Sequence, residues 1–289
     1  MEICLITDEI SADPVSAIEL GTDWGVRSFE LRGYYSERVP YLSAFQKDQL
    51  HETLEMYNAR VVAISPGLFK LPLPASKWTP FPVACIDVEL HRQWKSAQDL
   101  ARAHLEEMLP ASIEFAKELG AEIISAFSFQ RGGRLGGHAP DPVLEMLYQA
   151  AEQTAAAGIT LAVETEAGYW GDTGQNTAQL LEDVRHPGLR VNWDPGNAFE
   201  AGDVPFPGGY QAVREKIAHV HFKDAFRGPD GEVQYVLEGE IDWQGQITAL
   251  ARDGYTGYIS IETHMQPKVA SAFTALSRLR KLIGSGETA

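Results

Sequence analysis

Eight times along the chain, a short run rich in β-branched and aromatic residues gives way to a segment with helical period. The strand-like runs fall at 2–7, 26–32, 60–65, 121–127, 159–164, 189–194, 217–221 and 257–262. Helical segments follow at 14–21, 44–58, 97–119, 142–157, 177–184, 209–216, 243–252 and 268–282. Such alternation predicts a parallel sheet, because parallel strands need a long crossover and a helix supplies it. Eight pairs with no break in composition predict one α/β domain over 1–289, a single (β/α)8 barrel, and 289 residues suit that fold. The alternative is an open doubly wound sheet, which carries a glycine-rich phosphate loop after its first strand. Asp8-Glu9-Ile10-Ser11 is no such loop.

Gly120, Gly158 and Gly254 stand where helices should end, and Pro110 should kink or split the 97–119 segment. Two connections are long. The 66–96 stretch carries Phe69, Trp78, Phe81 and Trp94 among several prolines, and 225–242 contains the turn sequence Gly228-Pro229-Asp230-Gly231. Both follow strands, which puts both on the C-terminal face. A loop as long as 66–96 acts as a lid over the mouth or as a contact in a homo-oligomer.

Charge narrows the partners. With 24 basic and 40 acidic residues the formal charge is −16, a field that repels nucleic acid and anionic membranes and leaves a small molecule as the expected partner. Cys4 and Cys85 form no metal or redox pair and no disulfide framework. The N-terminus reads as the first strand rather than a leader, and no apolar run could span a bilayer, so a cytoplasmic location is expected.

In a parallel barrel, side chains alternate between the helical jacket and the interior. Leu161 and Val163 then face out and Glu164 in; Val191 and Trp193 face out and Asp194 in. Val220 and Phe222 face out, which turns His219, His221 and Lys223 inward. Ile259 and Ile261 face out, leaving Glu262 and His264 inward. Glu164, Asp194, His221 and Glu262 therefore converge at the tips of four consecutive strands. Three buried carboxylates resist ionising together unless a cation joins them. One divalent ion answers that need, and three oxygens with one imidazole suit Mn²⁺ foremost, with Mg²⁺, Co²⁺ or Zn²⁺ as alternatives.

Glu30 and Arg32 share inward parity on the second strand, as substrate-binding groups or as an ion pair with each other. Glu166, Trp170, Asn197, His219, Lys223, Arg227 and His264 are within reach of the mouth. Lys223 has a second reading, a rim pair with Asp224, and His219 lies one layer below His221. Lys70, Arg131, Arg134 and His138 follow the third and fourth strands and are either anion-binding groups or solvated rim charges.

The chain resembles the xylose-isomerase-like barrels, in particular the sugar phosphate isomerase/epimerase group that includes ketose 3-epimerases and inosose dehydratases. The likeness covers nearly the whole chain. It rests on Phe29-Glu30-Leu31-Arg32, Val163-Glu164, Asn192-Trp193-Asp194-Pro195-Gly196-Asn197, His219-Val220-His221-Phe222-Lys223-Asp224, Gly239-Glu240-Ile241-Asp242-Trp243 and Ile259-Ser260-Ile261-Glu262-Thr263-His264. It implies metal binding by Glu164, Asp194, His221 and Glu262, with proton exchange through the two glutamates. One departure stands out: Asn197 occupies a position where ketose 3-epimerases carry histidine. The superfamily's DNA-repair endonucleases need further histidine ligands on early strands and a basic surface, and this chain has neither.

The chemistry implied is proton abstraction beside a carbonyl of a sugar or sugar phosphate, through a metal-stabilised enediolate. His264 or Glu166 is an alternative base where Glu164 and Glu262 are occupied as ligands. Elimination from the same enediolate is the second expectation, a dehydratase of inosose or keto-sugar type with Lys223 or His219 as the acid. A barrel serving as a subunit without turnover is the third.

Overall fold

The computed structural model describes residues 1–72, 97–133 and 137–286. Eight parallel strands form the barrel: β1 (Glu2–Ile6), β2 (Ser28–Leu31), β3 (Arg60–Leu68), β4 (Ile123–Ala126), β5 (Thr160–Glu164), β6 (Leu189–Trp193), β7 (Ile217–Phe222) and β8 (Tyr258–Ile261). They pair in chain order and β8 returns to pair with β1, so the sheet is closed and the open alternative is excluded. The expected alternation is visible in the packing. Leu161, Val163, Val191, Trp193, Val220, Phe222, Ile259 and Ile261 belong to the large apolar layer between strands and helices. Cys4, Val62, Ala63, Ile123 and Ala162 form a separate small cluster that plugs the interior below the mouth.

Local chemistry sets where the helices begin. Asp13 accepts from Val15 N ahead of Pro14, Ser43 and Gln46 form a reciprocal cap, Thr173 accepts from Asn176 N, and Asp242 accepts from Gly245 N. Gly120, Gly158 and Gly254 all have positive φ where the sequence places helix exits. The segment holding Pro110 does divide: helix Ala97–Ala103 opens into a wide turn, His104–Met108, before helix Leu109–Leu119 takes Pro110 in its first turn.

Several expectations need correction. The 209–216 segment is no regular helix; only Tyr210–Val213 is α-helical, between a wide turn at Pro205–Gly209 and a tight one at Arg214–Lys216. The long 225–242 connection carries strands on either side of its expected turn. Asp224–Arg227 pairs antiparallel with Val233–Val236 across the predicted turn, making a ribbon that stands over the mouth. A short helix, Pro195–Glu200, follows β6 unannounced by any periodic pattern. Of the 66–96 connection, β3 runs to Leu68 and the chain is described to Pro72; Trp78, Phe81, Cys85 and Trp94, with the expected lid or oligomer contact, lie outside the described residues. No helix among the described residues is long and apolar enough to cross a membrane.

Two buried tryptophans fasten the jacket to the last strands. Trp193 Nε1 donates to Gln246 Oε1 at 2.8 Å, and Trp243 Nε1 donates to the Lys223 carbonyl at 3.0 Å. Helix Gly174–Val184 sits equally close to the wide turn, where a Cβ on Gly174 would lie 2.2 Å from the Gly209 carbonyl oxygen. Gly174→Ala is therefore expected to cost about 1–3 kcal/mol, a fall of several degrees in Tm. Gly208→Ala, whose added methyl meets nothing within 4 Å, should leave Tm unchanged in the same calorimetric scan.

Candidate metal centre

The tips of β5 to β8 bring together the four side chains that alternation aims inward. Glu164, Asp194, His221 and Glu262 are all buried, and their donor atoms lie within 4.8 Å of one another. Asp194 caps the short helix, with Oδ1 accepting from Asn197 N at 2.9 Å, which turns Oδ2 toward the centre. His221 Nδ1 has no hydrogen-bond partner among the described residues. It faces Glu262 Oε2 at 3.3 Å, Glu164 Oε1 at 3.5 Å and Asp194 Oδ2 at 3.7 Å. Donors bound about 2.1 Å from one ion stand about 3.0–3.4 Å apart, and these spacings are within a few tenths of an ångström of that. A bare nitrogen looking onto three carboxylate oxygens is a donor set that fits a divalent cation.

The protein also supplies positive charge of its own, which corrects the argument that three buried acids demand a metal. Lys223, fully buried, places Nζ 2.8 Å from Asp194 Oδ2 and 2.9 Å from Glu262 Oε2. Gly196 makes room for its stem, since a Cβ there would lie 2.8 Å from Lys223 Cε. The rim pair with Asp224 does not form; Asp224 binds Arg278 at 2.7 Å instead. Arg32 donates to Glu262, Glu9 and Asp8 together, so it makes no pair with Glu30. Burial alone would neutralise these groups, but the charges prevail. Lys223 is raised well above its ordinary value by Asp194 and Glu262, and Glu262 is held well below its own by Lys223, His264 and His221. Burial likewise lowers His221, yet Glu30, Glu262 and Glu164 raise it well above the usual imidazole value. The centre therefore attracts a cation at Nδ1, either a proton or a metal ion. The bare nitrogen and its three facing oxygens carry the metal assignment; total charge does not.

Above the four donors opens a cavity of about 440 Å³. Glu166 and Lys70 form a 2.7 Å ion pair on one wall, and Lys70 lies over the Phe127 ring. Burial pushes the Glu166 carboxyl up to about 7 against the pull of Lys70, with Glu164 adding to the rise. Asn197 joins the walls to the floor: its Nδ2 donates to Glu166 at 2.7 Å and reaches Glu164 at 3.4 Å, while its Oδ1 accepts from Lys223 at 2.8 Å. Tyr235, on the ribbon, bonds to Glu200 and stacks at a tilt against His264.

The remaining expected residues divide. Arg32, Lys70, Glu166, Asn197 and His264 line the cavity. His264 does so from a backbone with φ +53, beyond the end of β8, so strand parity did not carry it there. Trp170 is buried in the jacket beside Arg131, and Arg227 straps the ribbon by donating to the Gly231 and Phe199 carbonyls; neither lines the cavity. Glu30 and His219 are fully buried beneath the donors rather than at the mouth. Arg131 is consumed by the Tyr169 and Trp170 carbonyls and Asp172, and His138 by Asp183. Arg134 lies outside the described residues. Sequence reasoning missed Glu9, whose Oε2 accepts from Thr263 N, Thr263 Oγ1 and His264 N and so ties the end of β1 to the end of β8. Its place just past a strand end was the available signal. Tyr235 had none, because it depends on the ribbon.

A family model described as xylose isomerase-like TIM barrel matches residues 18–282. No curated protein matches the chain. Among solved structures, L-ribulose 3-epimerase is 19% identical, with 100% of this chain and 96% of that one covered and a TM-score of 0.71. The IOLI protein with a binding zinc atom is 16% identical, with 99% of each covered and a TM-score of 0.72. A probable 3-DHS dehydratase, AsbF from Bacillus anthracis, is 17% identical, with 97% and 99% covered and a TM-score of 0.69. At these identities the likeness is one of fold.

Protein purified without chelator is expected to carry about one equivalent of divalent metal by plasma mass spectrometry, and His221→Ala to lose nearly all of it. Full retention in a folded His221→Ala protein would refute the centre.

Proposed function

The chain belongs to the xylose isomerase-like TIM barrel family, and from the donors gathered at its mouth we infer that it is a divalent-metal-dependent isomerase or epimerase of a small sugar or sugar phosphate. The observation that carries this reading is the bare His221 Nδ1 facing Glu164, Asp194 and Glu262 on the floor of a cavity sized for a small molecule. A metal held by these four residues, Mn²⁺ foremost, supplies Lewis acidity to a bound carbonyl and its neighbouring hydroxyl and lowers the cost of negative charge there. The kinship in fold with two proteins called an epimerase and a dehydratase is consistent with chemistry beside a carbonyl.

The two glutamates are unequal. Glu262 is engaged by Arg32 and Lys223, and its negative form is strongly favoured. Apart from the facing His221 Nδ1 at 3.5 Å, Glu164 is met among the described residues by Ser125 and Asn197, each at 3.4 Å. Glu164 is therefore freer to take a proton from the carbon beside the carbonyl, the electron pair passing to the carbonyl oxygen to give the enediolate. Lys223, an ammonium beside Glu262, feeds the return of a proton from the other flank. His264 stands 3.5 Å from Glu262 Oε1 and links that flank to solvent. Glu166, poised near neutrality beside Glu164, exchanges the abstracted proton.

Lys223 also favours a second reading. A buried ammonium held at the floor can protonate a departing hydroxyl, which turns the same enediolate toward elimination. Incubation with a panel of ketoses, inososes and 3-keto-sugars in D₂O distinguishes the two by mass spectrometry. Isomerisation or epimerisation leaves one solvent deuterium on carbon in the product, whereas elimination yields a product lighter by water. Glu164→Gln and Glu262→Gln should each lower kcat by about 10²–10⁴-fold with Tm maintained. Unchanged turnover in a folded Glu262→Gln protein would overturn the assignment, and absence of turnover on every substrate would favour a barrel without catalytic activity.

A further inference from the structure

Beneath the four donors, walled off from the cavity, lies the carboxylate of Glu30. It is 0% exposed, on β2 with its side chain inside the barrel. Oε1 accepts from Ser65 Oγ. Oε2 lies 2.9 Å from His219 Nε2 and 3.2 Å from His221 Nε2, and the two imidazoles stand edge to face with centroids 5.5 Å apart.

An ionised carboxylate can only accept hydrogen bonds, so each Nε2 that meets Glu30 must carry a proton. Neutral imidazole has one N–H. With it on Nε2, His221 Nδ1 keeps a free lone pair, and this is the atom that faces Glu164, Asp194 and Glu262 without a hydrogen-bond partner. Asn192 agrees with the assignment. Its side-chain amide lies 3.0 Å from the same Nε2 and its oxygen has no partner as oriented, so turning the amide presents that oxygen to the same proton. Behind His221, His219 Nε2 is also 2.8 Å from Ser260 Oγ, which ties the network to β8. A carboxylate behind an imidazole that fixes which nitrogen is free is a recurrent support of metal-binding histidines.

The geometry points to Glu30 as the positioning residue of the metal centre: it holds His221 in the Nε2–H form and at the angle that presents Nδ1 to the ion. Glu30 touches no substrate in this role. The inference rests on the centre binding a divalent ion and not on which reaction follows, so its test reads binding rather than turnover.

Glu30→Gln preserves shape but replaces one acceptor oxygen with an N–H₂ group. Both rings meet the same oxygen, so a carboxamide oxygen in that place still accepts from them. What the variant removes is the negative charge that strengthens both bonds, favours the proton on Nε2 and raises the basicity of Nδ1. The expected result is a Kd for Mn²⁺ weaker by about 10–100-fold in calorimetric titration, with the circular dichroism spectrum of the metal-free protein unchanged. In zinc-loaded wild-type protein labelled with ¹⁵N-histidine, the His221 proton should appear on Nε2 and exchange slowly, a signature that mere structural support would not produce. An unchanged Kd in folded Glu30→Gln protein overturns the inference, as does a His221 proton on Nδ1 or a wild-type chain that binds neither ion. Should Glu30→Gln fail to fold, the wild-type spectrum decides. A positive result stands even where the sugar chemistry fails.

Discussion

Closure of the parallel sheet on its own edge is the constraint from which the rest follows. Once β8 pairs with β1, each strand residue has only two directions available, into the jacket or into the interior. The jacket side absorbs Val163, Trp193, Phe222 and Ile261, the large apolar residues of the last four strands. The interior receives what the jacket cannot take. Glu164 and His221 are strand residues, Asp194 and Glu262 follow their strands by one position, and all four meet because neighbouring strands end at nearly the same height.

Bringing so many acids into a dry interior is costly, and the chain offsets this in two layers. Lys223 and Arg32 act as built-in counter-charges, both directed at Glu262, and Glu9 and Asp8 in turn hold Arg32. Among the described residues Glu164 receives no comparable partner. The asymmetry fixes one flank of the floor strongly and leaves the other less tightly held. It also explains why Glu9 matters to the site: through one carboxylate it orders Arg32, Thr263 and the backbone of His264.

Legibility in the sequence followed the reach of periodicity. All eight strands and the inward donors could be read because alternation fixes the direction of a side chain wherever the backbone is extended. Beyond the strand ends the rule lapses. His264 reaches the mouth through a left-handed backbone, and Trp170, placed at the mouth by proximity in sequence, turns into the jacket. Arg227 is bound to the ribbon that its own segment forms, and that ribbon was not visible because its strands are four residues each. Lys223 illustrates a different gap. Its inward parity was legible, but whether it paired with Asp224 or Asp194 depended on Gly196 leaving space for its stem, a contact between two elements.

The floor and the walls of the mouth are built on different principles, which bears on what each can determine. The floor rests on strand tips and on side-chain bonds among them: Glu30 with His219 and His221, Lys223 with Asp194 and Glu262. Such groups are fixed by the barrel itself, so they define the kind of chemistry. The walls come from segments after the strands, with Lys70 and Glu166 on one side and Tyr235 and His264 on another. These can vary without disturbing closure, and they shape the opening above the floor. Asn197 belongs to both, since one amide group reaches Glu166 in the wall, Glu164 in the floor and, through its oxygen, Lys223. A change at that single position would therefore disturb wall and floor together.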